Sequence, residues 1–273
     1  MHLNSLTSPC GMGESRQELE AILDSLKAEF KPEELVERLG LDPLFQRQSL
    51  LSDTAILRHK EQGNIVIHPF NEKNLGTVSY DVTLGPYYFR ERDPVGSSRL
   101  LNPYDEKRVR HIWQLHEART ARLEAQEDHL DIGENIGPED RVIMLRPGET
   151  VLAHTNEFIG GRNIVTTMMK ARSSLGRNFI EVCKCAGWGD VGYTNRWTME
   201  ITNNSRYHHI PLVVGRRIAQ IAFFEVEPTL AKEAYLKGGK YQSSVDVAEL
   251  EKRWTPEELL PKMWKDWEVR KNG

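Results

Sequence analysis

Between Lys170 and Glu200 the chain reads KARSSLGRNFIEVCKCAGWGDVGYTNRWTME. This segment holds an Arg-Ser-Ser-Leu-Gly-Arg run, an Ala-Gly-Trp-Gly-Asp-Val-Gly-Tyr turn and one carboxylate ending a strand-like stretch. Arg172, Ser173, Ser174 and Arg177 set two forked cationic donors and two hydroxyl donors within six residues, a combination suited to the terminal oxygens of a polyphosphate. Glu200 follows Arg-Trp-Thr-Met, which reads as a buried or half-buried strand, and a carboxyl group held there is a candidate proton shuttle. The plain alternatives are a solvated loop for Arg-Ser-Ser and a surface strand position for Glu200. Read together, the pieces predict a nucleotide pocket with acid/base chemistry.

The elements that must hold these residues are legible as patterns. Leu19, Ile22, Leu23, Leu26 and Phe30 have helical spacing, and a second short helix follows Pro32, so residues 1–48 read as a helical N-terminal arm. From Ile65 the signal changes to short β-rich runs, Ile65–Ile67, Tyr80–Leu84 and Tyr87–Phe89, split by Gly, Pro and Asn. Asp105 to Asp128 is charged and helix-favouring, and residues 104–135 read as a helical insertion. β signals return from Arg141 to Val226, with turns expected at Pro147-Gly148, Gly160-Gly161, Gly187 to Gly192, Asn203-Asn204 and Gly215. Many short strands between turns suit a sandwich or barrel, giving a mainly β fold for residues 49–245. In the tail, 246–273, Thr255 as N-cap and Pro256 near a helix start predict a last amphipathic helix carrying Trp264 and Trp267.

Composition narrows the function. At 273 residues and 39% hydrophobic the chain can build one sizeable core or two small ones. A net charge of -4 argues against a general nucleic-acid binder, so a nucleotide would be a small molecule gripped locally by a few arginines. No apolar run approaches a bilayer span and the N-terminus lacks a secretory pattern, so a cytoplasmic protein with no membrane partner is expected. The three cysteines, Cys10, Cys183 and Cys185, suit a reducing compartment, and a Cys-Lys-Cys on a strand would point to one face without bridging. The zinc-binding pattern of His-x-Glu followed by Pro-Cys-x-x-Cys does not occur in the sequence, so chemistry without protein-bound zinc is expected.

The order of the pieces resembles the dCTP deaminase family, which shares its fold with the trimeric deoxyuridine triphosphatases. LLSDTAILRHKEQGNIVIHPFNEKNLGTVSYDVTLGPYYFR at 50–90 is similar to the family's opening, LRPGETVLAHTNEFIG at 145–160 to the strand pair before the active-site turn, and VVGRRIAQIAFFEVEP at 213–228 to the closing strands. Gly239-Lys240-Tyr241-Gln242 resembles the start of the nucleotide-covering segment. Residues 1–48, about 100–140 and those after 245 carry no resemblance.

The likeness implies a distorted jelly-roll-like β-barrel of the dUTPase-like type, assembled as a homotrimer. It implies Glu200 as proton shuttle, Ser173 and the Ala186 carbonyl holding the attacking water, and Arg177 fixing the carboxylate and the base. Arg172 and Ser174 would contact phosphates of a nucleotide seated mainly in the adjacent subunit. Trp188 joins the substrate-contacting turn, Asp190 meets the sugar 3′-hydroxyl, and the Tyr193 ring packs under the deoxyribose and excludes a 2′-hydroxyl. Lys240 and Tyr241 would close over the triphosphate, with magnesium bridging phosphate oxygens as a substrate counter-ion. Ser243-Ser244 stand where the family has a glutamine, a departure in the closing segment. Three readings follow: deamination of dCTP to dUTP and ammonia, a hydrolase reaction at a cyclic amidine; a dUTPase or bifunctional enzyme giving dUMP and diphosphate; and a non-catalytic nucleotide sensor.

Overall fold

The computed structural model describes residues 50–94, 99–227, 239–242, 244 and 246–269. The expected helical arm over 1–48 lies outside the described residues. Helix α1 (Asp53–Glu61) starts where the extended Ser52 hydroxyl accepts from the Ala55 amide at 3.4 Å, and it buries Ala55, Ile56 and His59. Beyond it the chain is mainly β, as its pattern predicts, and the described strands form three antiparallel sheets.

The largest sheet runs β4 (Trp113–Glu117), β3 (Tyr87–Glu91), β7 (Thr150–Gly161), β11 (Thr194–Asn203), β9 (Ile180–Glu181), with β1 (Ile65–His68) also paired to β7. A second runs β10 (Trp188–Gly189), β8 (Val165–Ala171), β13 (Arg217–Glu225), β2 (Tyr80–Thr83). The third runs β12 (Ile210–Val213), β6 (Arg141–Leu145), β5 (Arg119–Thr120). The ladders stay open and do not join into one closed barrel. The sheets are held by the side chains they share.

Those side chains follow the two-residue period of strands. Trp197, Met199 and Ile201 of β11 point inward beside Val151 and Ala153 of β7, and with Tyr80, Ile143, Ile221 and Phe223 they form the main core. Burying each large apolar side chain contributes about 1.5–3 kcal/mol, and that sum orders the β7–β11 pair. On the sheet's other face Phe89 and Leu152 pack with Leu259 and Leu260 from the tail, flanked by Trp113 and Trp254.

Three local expectations are corrected. Within the insertion, helices α2 (Glu106–Ile112) and α3 (Ala121–Asp128) are separated by strands β4 and β5. All five residues of β4 pair with β3, so sheet extension overrides the helical propensity of that stretch. In the tail, helix α5 (Val247–Arg253), which follows helix α4 (Ser173–Arg177) in chain order, forms earlier than expected, with Asp246 as the cap accepting from the Glu249 amide at 2.9 Å. Pro256–Leu259 and Met263–Lys265 are 3₁₀ turns, because Pro261 holds Leu260 extended at ψ 137° and stops a helix from passing it. Gly160 and Gly161 sit inside β7 and make no turn: a Cβ on Gly160 would lie 1.9 Å from the Tyr193 carbonyl oxygen.

A second close approach is testable. A Cβ on Gly189 would sit 2.3 Å from Thr167 Oγ1 and 2.5 Å from the Trp197 ring, both inside the core. Gly189→Ala is therefore expected to lower unfolding free energy by about 1–3 kcal/mol in a urea titration, and an unchanged midpoint would contradict this packing.

Candidate active site

Glu200 lies inside β11, opposite Leu152 of β7, on the face away from the main core. Its side chain is half-buried, and its Oε2 is enclosed without a hydrogen-bond partner among the described residues. Burial pushes its carboxyl above the ordinary carboxylate range, opposed by a backbone hydrogen bond and by the Lys184 ammonium. A carboxyl group raised in this way holds a proton to higher pH than an ordinary surface carboxylate.

The Arg-Ser-Ser run is an exposed short helix. Arg172 is extended as the N-cap, Ser173 to Arg177 form α4, and the Asn178 side chain closes it by donating to the Ser174 carbonyl at 2.8 Å. The chain then enters β9, which pairs with Thr202 and Asn203, so α4 and Glu200 lie toward the same end of β11. Arg177 is exposed and forms no ion pair with Glu200 within the chain. Arg172 lies 3.5 Å from the Asp81 carboxylate, which also binds Arg217 at 2.9 Å.

The glycine-rich turn is fixed mainly through its backbone. The Met169 amide donates to the Gly187 carbonyl at 2.7 Å, the Gly192 amide to Gly161 at 2.8 Å and the Tyr193 amide to Asp190 at 3.0 Å. Ala186, Trp188 and Asp190 are exposed on it. Tyr193 is half-buried, edge-on to Trp197 at 5.4 Å. The strand expected across Cys183-Lys184-Cys185 is instead a turn with φ 65° at Cys183 and 42° at Lys184. Cys183 is therefore buried and Cys185 exposed, with both thiols free. Lys184 is the residue that reading the sequence missed. Its charge acts on the Glu200 carboxyl, and no sequence pattern announces the left-handed turn that carries it.

Lys240 and Tyr241 lie at the opposite end of β11. The Tyr241 carbonyl accepts from Asn195 at 2.6 Å, and the Lys240 ammonium is paired with Asp266. Glu200 lies six residue steps along the strand from Thr194, roughly 20 Å. One chain therefore gathers Glu200, Lys184 and α4 near one end of the strand and Tyr193, Lys240 and Tyr241 at the other. Two surface cavities among the described residues, of about 830 Å³ and 760 Å³, are lined from residues 88–150 and do not include Glu200, Ser173 or Arg177.

A sequence model described as dCTP deaminase-like matches residues 50–226, which carry this strand, turn and short helix. The chain belongs to the dCTP deaminase-like family. A Methanococcus aeolicus protein named dCTP deaminase, dUMP-forming, is 28% identical over 74% of this chain and 98% of its own length. A Methanococcus maripaludis protein of the same name is 31% identical over 64% of this chain and 80% of its own. The crystal structure of a 2′-deoxycytidine 5′-triphosphate deaminase from Agrobacterium tumefaciens aligns with 71% of this chain and about half, 54%, of its own length, at 16% identity and a TM-score of 0.46. The family match ends before Lys240, so the strap at 239–242 and the tail lie beyond it. No helix among the described residues is long and apolar enough to cross a membrane.

The raised Glu200 pKa has a thermodynamic consequence. Between the ordinary value of 4.5 and the raised one, the folded chain keeps a proton that the unfolded chain has released, so this group's contribution to stability falls as pH rises through that window. Glu200→Gln is expected to melt higher than the parent at pH 7.5, with the gap closing as pH drops below about 4.5. A variant that melts lower than the parent across the whole range would show that the carboxylate is stabilised in place.

Proposed function

We propose that this protein deaminates dCTP to dUTP and ammonia, with Glu200 as the proton shuttle and without protein-bound zinc. The observation that carries the reading is the Oε2 of Glu200, enclosed and without a hydrogen-bond partner among the described residues. An ordinary structural Glu would be solvated or paired, since an unsatisfied buried acceptor costs about 1–3 kcal/mol. The same feature disfavours a pure nucleotide sensor, which has no use for a desolvated carboxylate.

In this reading Glu200 takes a proton from a water held by Ser173 and the Ala186 carbonyl as the water oxygen bonds to C4 of cytosine, and it delivers that proton to N3. It then carries the remaining hydroxyl proton to the amino group. The C4–N bond breaks, ammonia leaves and the C4 carbonyl forms. Arg177 orients the carboxylate and base, Arg172 and Ser174 take phosphate oxygens, Trp188 and Asp190 face the nucleotide from the turn, and Tyr193 blocks a 2′-hydroxyl. Lys240 and Tyr241 cover a triphosphate that carries magnesium as its counter-ion.

Within one chain Arg177 does not reach Glu200, and the strap sits at the far end of β11, which supports a site shared between copies in a homotrimer. A second reading, continuation to dUMP and diphosphate, is favoured by the dUMP-forming names of both Methanococcus relatives and by the exposed Asp190 carboxylate, which could activate the hydrolytic water.

Product analysis with dCTP and with dUTP, resolving ammonia, dUTP, dUMP and diphosphate, separates these readings. Ammonia release is expected from dCTP, with a fall of at least about 10²-fold in Glu200→Gln while substrate still binds. A variant keeping more than a tenth of the parental rate would remove Glu200 from the shuttle role. Sharing between copies has its own test. Glu200→Gln and Arg177→Ala chains, each inactive alone, should recover roughly a quarter of parental activity when refolded together in equal amounts, because some interfaces then join two intact halves. No recovery in mixed trimers would place both residues in one chain's site.

A further inference from the structure

Asn195 is the second residue of β11 and is 2% exposed. Asparagine is a poor strand former, and its burial is tolerable only when its amide is paired. Its Nδ2 donates to the Tyr241 carbonyl at 2.6 Å and to Glu258 Oε2 at 2.9 Å, and its Oδ1 accepts from the Arg196 amide at 2.8 Å. The preceding amide, that of Thr194, donates to Gln242 Oε1 at 2.7 Å. On the strap's other side the Lys262 amide donates to the Tyr241 hydroxyl at 3.0 Å, Lys262 Nζ donates to the Lys240 carbonyl at 3.2 Å, and Asp266 pairs with Lys240.

Residues 240–242 belong to no helix or ladder, so these side-chain bonds set where they sit. A buried amide that ties three separate segments, strand, strap and tail, does more than fill its own hydrogen bonds. We propose that Asn195 is a positioning residue that fixes Lys240 and Tyr241 against the start of β11 before any nucleotide arrives. Ordering the strap in the free protein removes an entropy cost from the binding step. The tether is a statement about the chain itself. Its kinetic consequence, a lower KM for a nucleoside triphosphate, rests on the function proposed above.

The test compares wild type, Asn195→Ala and Gln242→Ala, the last cutting the neighbouring bond while leaving the buried Asn195 in place. Hydrogen exchange of a peptide spanning 239–244 is expected to speed up at least about tenfold in Asn195→Ala, and by less in Gln242→Ala, while the amides of the β7–β11 ladder keep their protection. With dCTP, KM should rise at least about fivefold and kcat should stay within about twofold; a merely structural defect would lower the active fraction, and so kcat, without that split. Unchanged strap exchange in Asn195→Ala overturns the proposal, as does an equal loss of protection across strap and ladder, or a fall in kcat at constant KM. Should Asn195→Ala fail to fold, unchanged strap exchange in Gln242→Ala overturns it and selective loosening supports it. Should wild type release no ammonia from dCTP, the catalytic reading fails alone, and the exchange data still decide the tether.

Discussion

The antiparallel pairing of β11 with β7 decides which side chains belong to the core and which to chemistry, because a strand alternates faces at every residue and a slip of one position would exchange them all. The register sets Ile201 across from Val151 and Met199 across from Ala153 on the inner face. On the outer face it sets Thr202 across from Thr150, with their hydroxyls bonded at 2.8 Å, and Glu200 across from Leu152. The carboxyl group therefore has an apolar cross-strand neighbour and, among the described residues, no partner for Oε2. The inner face supplies the burial energy that holds a costly residue in that register, an arrangement in which core stability offsets strain at a site.

Burial of Glu200 is opposed first by its backbone hydrogen bond and then by a charge on a turn built of backbone in rare conformations. Cys183 and Lys184 both have positive φ, and neither is glycine, so each is disfavoured intrinsically and held by its surroundings. Cys183 is buried in the main core, and the Ala186 amide donates back to its carbonyl at 2.7 Å. The exposed Lys184 charge favours the ionised Glu200 carboxylate, while burial disfavours it. The balance of these influences leaves the group's pKa raised.

Much of this was legible in sequence, and the failures share a physical cause. The β class and the buried Arg-Trp-Thr-Met strand follow from local periodicity, which the chain carries within a few residues. The strand at Trp113–Glu117 did not, because its conformation comes from pairing with β3 across 20 or more residues, and Gly160 reads as a turn until Tyr193 is seen against it. Tyr80–Thr83 brought Asp81 to Arg172 and Arg217 only through the sheet order β8–β13–β2, which no linear pattern encodes. The catalytic candidates Ser173 and Glu200 were found from residue type and order, whereas Lys184 and Asn195 act through a turn and a tether that exist only after folding.

The insertion and the tail that follows the family match converge on this same sheet. Trp113 comes from the insertion, Trp254, Leu259 and Leu260 come from the tail, and they pack with Phe89 and Leu152 on the outer face of the β3–β7 pair. Trp254 also covers the fully buried His154, 4.7 Å between rings, and the Arg196 guanidinium stacks on it at 4.6 Å from β11 itself. His154 has its pKa lowered to about 4 by burial, so it stays neutral under that cover and adds no charge near β11. The additions thus bury the flank of the strand pair that holds Glu200, and burial is the largest cause of that residue's raised pKa. A sheet face that a bare domain would leave wet is dry here along one side, and the acid/base character of Glu200 depends on how far that dryness extends toward it.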